Sequence, residues 1–74
     1  MTKVLITGIA SGQGRLVAHK LLARDFQVTG VDLHPWDDRP KGVTLTIADV
    51  RKRTFEDVIR RERPEVIVHL GSVR

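Results

Sequence analysis

With 74 residues the chain holds one small domain, because domains run to about 50–250 residues and short chains bury a smaller share of their surface. Hydrophobic residues make up 41% and charged residues 30%, a balance that excludes a disordered or collagenous chain, and no apolar run approaches the ~20 residues of a membrane-spanning helix. There is no cysteine, which removes disulfides, thiolate zinc sites and cysteine nucleophiles together and leaves a thin core without a staple.

The opening Met1-Thr2-Lys3-Val4-Leu5-Ile6-Thr7-Gly8 is too short in apolar residues for a secretory signal, whose apolar core spans about 7–15 residues. The chain therefore reads as cytoplasmic. Thirteen basic residues against nine acidic give a net charge of +4 and a pI near 10.4, which suits an anionic partner, either nucleic acid or a phosphate-bearing cofactor. The basic residues gather at Arg51-Lys52-Arg53 and Arg60-Arg61-Glu62-Arg63 with acids among them, and only three aromatics are available for base stacking. These runs read either as a solvated helix face with its approach or as a functional basic patch.

Lys3 to Thr7 is a short β-branched and leucine run ending at glycine, the form of a buried strand. From Gly12 to Arg24 the residues Val17, Ala18, Leu21 and Leu22 share one helical face, with Arg15, His19, Lys20 and Arg24 mostly off it. Phe26 to Asp32 is predicted as a second strand, and Leu33 to Gly42, broken by Pro35 and Pro40, as a loop. Val43, Leu45 and Ile47 alternate with Thr44 and Thr46, which fits a strand at a sheet edge. Thr54 is the expected N-cap of a second helix, with Glu56 and Asp57 in its first turn, Phe55, Val58 and Ile59 on its buried face, and Pro64 as its stop. Glu65 to Leu70 is a continuous apolar run of the kind found in a central parallel strand. The order β-α-β-β-α-β predicts an α/β fold, a partial Rossmann-type parallel sheet with strand order 3-2-1-4 and a ligand at the switch point between the first and fourth strands.

Thr7-Gly8-Ile9-Ala10-Ser11-Gly12-Gln13-Gly14 lies between the first strand and the first helix, where a phosphate meets unpaired backbone N–H groups and the positive end of the helix dipole. Glycine there serves the tight turn, close approach to a pyrophosphate, and close packing of helix on strand, roles assigned in that order to Gly8, Gly12 and Gly14. Gln13 is either a polar contact near the pyrophosphate or merely solvated. Asp32 follows Gly14 by 18 residues, close to the ~20-residue offset of an acid that accepts from the adenosine ribose hydroxyls and repels a 2′-phosphate. The plainer reading of Asp32 is a capped turn. His34 and Arg39 lie just beyond, so NAD over NADP is a preference.

These residues resemble the short-chain dehydrogenase/reductase superfamily, and within it the extended branch of NAD-dependent epimerases and dehydratases acting on nucleotide sugars. Val4-Leu5-Ile6-Thr7-Gly8 looks like the opening strand and Gly30-Val31-Asp32 like the second. Ala48-Asp49-Val50 looks like the step after the third strand that contacts adenine. Val66-Ile67-Val68-His69-Leu70-Gly71-Ser72 looks like the fourth strand and its end, whose backbone passes beside the cofactor. Ser11 stands where the extended branch has its middle glycine, so the spacing TGxxxGxG is similar to the other main branch. The resemblance implies NAD as cofactor, bound through Gly8, Ser11, Gly12, Gln13, Gly14, Asp32, Asp49, Val50, Leu70, Gly71 and Ser72. It covers only the first half of such a nucleotide-binding domain.

The superfamily's chemistry rests on a YxxxK pair with a nearby serine or threonine, and this chain has no tyrosine. It is therefore expected to be inactive alone, the N-terminal half of a dinucleotide-binding domain without its catalytic half, from an oxidoreductase-type parent. His69 reads as a satisfied core histidine and His19 as solvent-facing, with no metal site. Trp36 either covers the adenine or packs back on the body. An apolar fourth strand with an open edge predicts self-association. A self-associating fragment without ligand affinity and a basic nucleic-acid-binding module are the rival expectations.

Overall fold

The computed structural model describes residues 2–70. Its elements are β1 (Lys3–Thr7), α1 (Gly12–Ala23), β2 (Gln27–Asp32), β3 (Val43–Ile47), α2 (Arg53–Glu62) and β4 (Val66–His69). The sheet is parallel throughout, in the order β3-β2-β1-β4. This is the expected α/β arrangement and strand order. Among the described residues no helix is long and apolar enough to cross a membrane.

Pleating sends alternate residues of the strands to opposite faces. Val4, Ile6 and Val28 join Ile9, Ala18, Trp36 and Val43 on the α1 side, where Val17, Leu21 and Leu22 pack against them. Leu5 and Val31 meet Val58 of α2 on the other side, with Phe55, Ala48 and Val50 around them. Two thin cores on one sheet are what βαβ crossovers of this length build.

Ser11 starts α1: its hydroxyl accepts from the Gly14 N–H at 3.0 Å, satisfying one of the orphan donors of the first turn. The helix ends at Arg24, and Asp25 (φ 64°) reverses the chain into β2. The start of α2 differs from expectation. Lys52, not Thr54, is the N-cap, and no side chain caps the helix. The turn is closed earlier, by Asp49, whose Oδ1 accepts from the Arg51 N–H and whose carbonyl accepts from the Lys52 N–H; Thr54 is left exposed within the first turn. Arg63, in the left-handed region at φ 48°, ends α2 immediately before Pro64.

Both outer strands are more open than their apolar sequences suggest. Ile47 is exposed rather than continuing the buried face of Val43, because β3 is an edge strand and the chain turns away at its end. In β4, Val66 and Ile67 are 46% and 47% exposed, since among the described residues this strand pairs with β1 alone. His69 is likewise exposed, not a core residue, yet it is satisfied: its Nδ1 and the buried Thr7 Oγ1 share a hydrogen bond of 2.7 Å.

Candidate functional site

The carboxyl ends of all four strands surround a cleft of about 530 Å³, within the ~300–1,000 Å³ usual for small-molecule sites. It lies where parallel α/β sheets place ligands, since β1 sends its crossover to one side and β4 arrives from the other. Gly8 and Ser11 line one end, Asp32, Leu33, His34 and Pro35 one wall, Ala48 to Arg51 another, and Leu70 the edge toward β4.

The glycines of the first loop divide the work as their surroundings dictate. Gly8 has φ 74°, a left-handed conformation that L side chains rarely adopt, and its N–H bonds the Val31 carbonyl at 2.8 Å. Its carbonyl accepts from both the Ser11 N–H and the Ser11 hydroxyl, which folds the loop back on itself. Gly14 is buried: a Cβ there would collide with the Gly8 carbonyl oxygen and with Ile9 Cα at 2.7 Å, so the helix can sit this close only without a side chain. At Gly12 the situation is opposite, for a Cβ would find nothing within 4 Å. The space over Gly12 faces solvent at the N-terminus of α1, where backbone N–H groups and the dipole favour an anion. Gln13 is exposed beside it.

Asp32 is held in the cleft wall by loop backbone alone. Its Oδ2 accepts from the Ala10 N–H at 2.9 Å and its Oδ1 from the His34 N–H at 2.9 Å, so both carboxylate oxygens are fixed by loop backbone. Each oxygen keeps a lone pair for a further donor. The Asp32 carbonyl, in turn, accepts from the Ala48 N–H and ties the ends of β2 and β3 together.

Asp49, after β3, is gripped by one residue. Arg51 donates its Nε to Oδ1 at 3.1 Å and its Nη2 to Oδ2 at 2.9 Å, beside the backbone bond already described. The Arg51 side-chain and backbone hydrogen bonds hold the Asp49 carboxyl down to about 2, from an ordinary 3.8. Glu62 is lowered in the same direction, first by Arg61 and then by Lys3. A carboxylate depressed on folding stabilises fully above its unfolded value and loses that contribution as pH falls through the folded one. The melting temperature is therefore expected to fall between about pH 4 and pH 2, and Arg51→Met is expected to flatten that limb. A thermal melt series across this range checks both. Because Arg51 is exposed to solvent, added salt is expected to shrink the effect.

Two residues of the site were not picked out in the sequence. Arg15 enters from the first turn of α1, donates Nε to the Ala10 carbonyl at 2.8 Å and lies 5.4 Å over the Trp36 ring. A cation in a first helical turn opposes the dipole, and with no acid in that turn this is the signal that would have exposed it. Arg51 sits within a basic run of the sequence, where its Asp-x-Arg spacing from Asp49 is the signal of the pairing. Trp36 settles on the second of its two readings: it is 3% exposed and packs on the body, edge-on to His19. Gly71 and Ser72 lie outside the described residues.

The model of the NAD dependent epimerase/dehydratase family matches residues 4–74. The chain belongs to that family. No curated protein matches it significantly. Among solved structures, UDP-glucose 4-epimerase of Thermus thermophilus in complex with NAD is 32% identical with a TM-score of 0.85, over 97% of this chain and 24% of that one. The Bordetella bronchiseptica enzyme WbmH in complex with NAD+ is 26% identical with a TM-score of 0.83, over 100% of this chain and 27% of that one. A dTDP-glucose 4,6-dehydratase of Bacillus anthracis, 16% identical with a TM-score of 0.82 over 99% of this chain and 27% of that one, shares the fold. The chain thus spans about a quarter of the length of these epimerase and dehydratase structures.

Proposed function

We propose that this chain binds the ADP portion of NAD and forms the N-terminal half of a dinucleotide-binding domain in a nucleotide-sugar epimerase or dehydratase. The observation that carries this is Asp32, whose two oxygens are fixed by the Ala10 and His34 N–H groups beside the α1 N-terminus. The residues present fit the cofactor. Open space above Gly12 admits a pyrophosphate, Gly8, Ser11, Gln13 and Gly14 shape its approach, and Asp32 offers remaining lone pairs to the ribose hydroxyls while its charge repels a 2′-phosphate. Asp49 and Val50 take the adenine, and Leu70 stands at the edge of the cleft toward β4; the sequence makes Gly71 and Ser72 the further cofactor contacts.

NAD supplies hydride chemistry when bound. The chain's own part is to bind and orient it: with no tyrosine, it lacks the phenol that family chemistry uses as acid or base, so epimerisation or dehydration needs residues beyond these 74. The fold and composition suit a cytoplasmic location. A nucleic-acid role is disfavoured because the basic runs are partly self-neutralised, Arg51 by Asp49 and Arg61 by Glu62.

A second reading has its own observation, the exposed Val66 and Ile67 on β4. An open apolar strand is a template for another strand, and pairing with a second copy would cover it. One experiment separates the two readings: thermal melts with NAD, NADP or ADP-ribose, at two protein concentrations. A ligand with Kd of about 0.1 mM adds about 1.4 kcal/mol at 1 mM. NAD and ADP-ribose are expected to raise the Tm and NADP to leave it unchanged. A melt that moves with protein concentration but with no ligand would overturn the cofactor reading in favour of association.

A further inference from the structure

We infer that the Ser11 side chain is a self-cap that competes with the cofactor's pyrophosphate for the N-terminus of α1, and so holds down the affinity of the cleft for dinucleotides. The inference rests on the dinucleotide reading above and adds to it a residue that works against binding. The donors at the start of α1 are accounted for one by one. The Ser11 N–H bonds the Gly8 carbonyl at 3.1 Å, and the Arg15 N–H bonds the Ser11 carbonyl at 2.9 Å. The Gly14 N–H bonds the Ser11 Oγ at 3.0 Å. Among the described residues this leaves the Gly12 and Gln13 N–H groups without an acceptor, two donors for an anion where an uncapped turn would offer three.

The hydroxyl is committed on both sides. Its proton goes to the Gly8 carbonyl at 2.7 Å while its oxygen accepts from Gly14. A hydroxyl has one proton to give, so Ser11, exposed and lining the cleft, turns a lone pair and not a donor toward an arriving phosphate oxygen. Swinging the hydroxyl onto the phosphate would strip the Gly14 N–H of its acceptor. Without the hydroxyl, an oxygen of the pyrophosphate takes its place on the Gly14 N–H, and an ionised acceptor makes the stronger bond. The cap thus stabilises the free chain and contributes nothing to the complex, which is the condition for a contact that lowers affinity.

The test is a thermodynamic cycle on Ser11→Ala, with Ser11→Thr, which keeps a capping hydroxyl, as the control. Titration calorimetry gives the affinities for NAD, ADP-ribose and adenosine, and melts are run on the free chain and at saturating NAD. The alanine variant is expected to bind NAD and ADP-ribose about fivefold more tightly than wild type, the equilibrium equivalent of one lost cap. Adenosine, which has no phosphate, is expected to show no gain. The Tm of the alanine variant is expected to fall in the free chain and to rejoin wild type at saturating NAD, and the threonine variant to match wild type throughout. A cap with no bearing on the ligand would lower the Tm equally with and without NAD at unchanged affinity, which overturns the inference. Weaker binding by the alanine variant would overturn it too, because Ser11 would then donate to the phosphate. Affinity that simply follows size through Thr, Ser and Ala would make room the cause and do the same. If the alanine variant does not fold, Ser11→Gly, which also lacks the hydroxyl and is the better N-cap of the two, is expected to bind more tightly than wild type while threonine stays at wild-type affinity. NAD bound by neither wild type nor variants would overturn the dinucleotide reading as well.

Discussion

Gly14→Ala is expected to abolish the cooperative melt, whereas Gly12→Val is expected to keep the fold and lose the cofactor. The two glycines are separated by one residue and do opposite jobs. An added Cβ at Gly14 meets the Gly8 carbonyl oxygen, Ile9 Cα at 2.7 Å and Ile9 C at 2.8 Å. All three are backbone atoms of a loop already held by Gly8 N–H to Val31 and by two bonds from Ser11 to Gly8. Relief requires α1 to move off β1, not a side chain to rotate. Overpacking costs about 1–3 kcal/mol where side chains give way, and more where backbone must shift. A core of this size rarely supplies more than about 3–5 kcal/mol in all, so the loss is expected to be global. Circular dichroism with Trp36 fluorescence reads it out. A native-like melt in Gly14→Ala would mean that the helix does not need this close approach.

At Gly12 the added side chain meets nothing of the protein. The same bulk that leaves the fold alone stands where an anion must approach the N-terminus of α1. Gly12→Val is therefore expected to melt within about 1 kcal/mol of wild type, since surface changes are usually small, while NAD no longer raises its Tm. Unchanged NAD stabilisation in that variant would remove the pyrophosphate from this end of the helix.

Much of the architecture was legible because each element announces itself locally. The run Lys3 to Thr7 closes on a glycine that has to take positive φ, and the 18-residue step from Gly14 to Asp32 is the length of a helix and a strand laid back to back. Element order then fixed the sheet, since right-handed crossovers leave few topologies. What was not legible depends on which of several competing partners a group takes, near or far along the chain. His69 looks like a core residue from its apolar neighbours, but burial depends on what lies across the sheet, and its ring reaches Thr7, 62 residues away. Thr54 has the chemistry of a cap, but Asp49 closes the turn first. The loop carboxylate Asp32 was found from spacing; that both its oxygens are held by backbone N–H groups could only come from the fold.

Trp36→Ala is expected to be as damaging as the Gly14 substitution, by a different route. The loop from Leu33 to Gly42 supplies one wall of the cleft, and its anchor is this one residue, the only tryptophan in the chain. The indole is 3% exposed, belongs to the α1-side core with Ile9, Ala18 and Val43, and carries Arg15 over its face and His19 at its edge. Its carbonyl accepts from Arg39 Nη1, and Arg39 Nε reaches the Val43 carbonyl, so the loop is returned to β3 from the same point. Truncating a buried tryptophan to alanine costs about 3–5 kcal/mol, comparable to the whole stability of a core this thin. Even a partly folded product would release Arg15 and loosen the segment whose His34 N–H holds Asp32. Trp36→Phe keeps a ring under Arg15 and is expected to fold with a lowered Tm and to retain NAD binding. Circular dichroism melts of the two variants, followed by NAD titration of whichever folds, make the comparison. An alanine variant that melts within about 1 kcal/mol of wild type would show that the loop is held by Arg39 and the prolines, with the tryptophan only resting on the core.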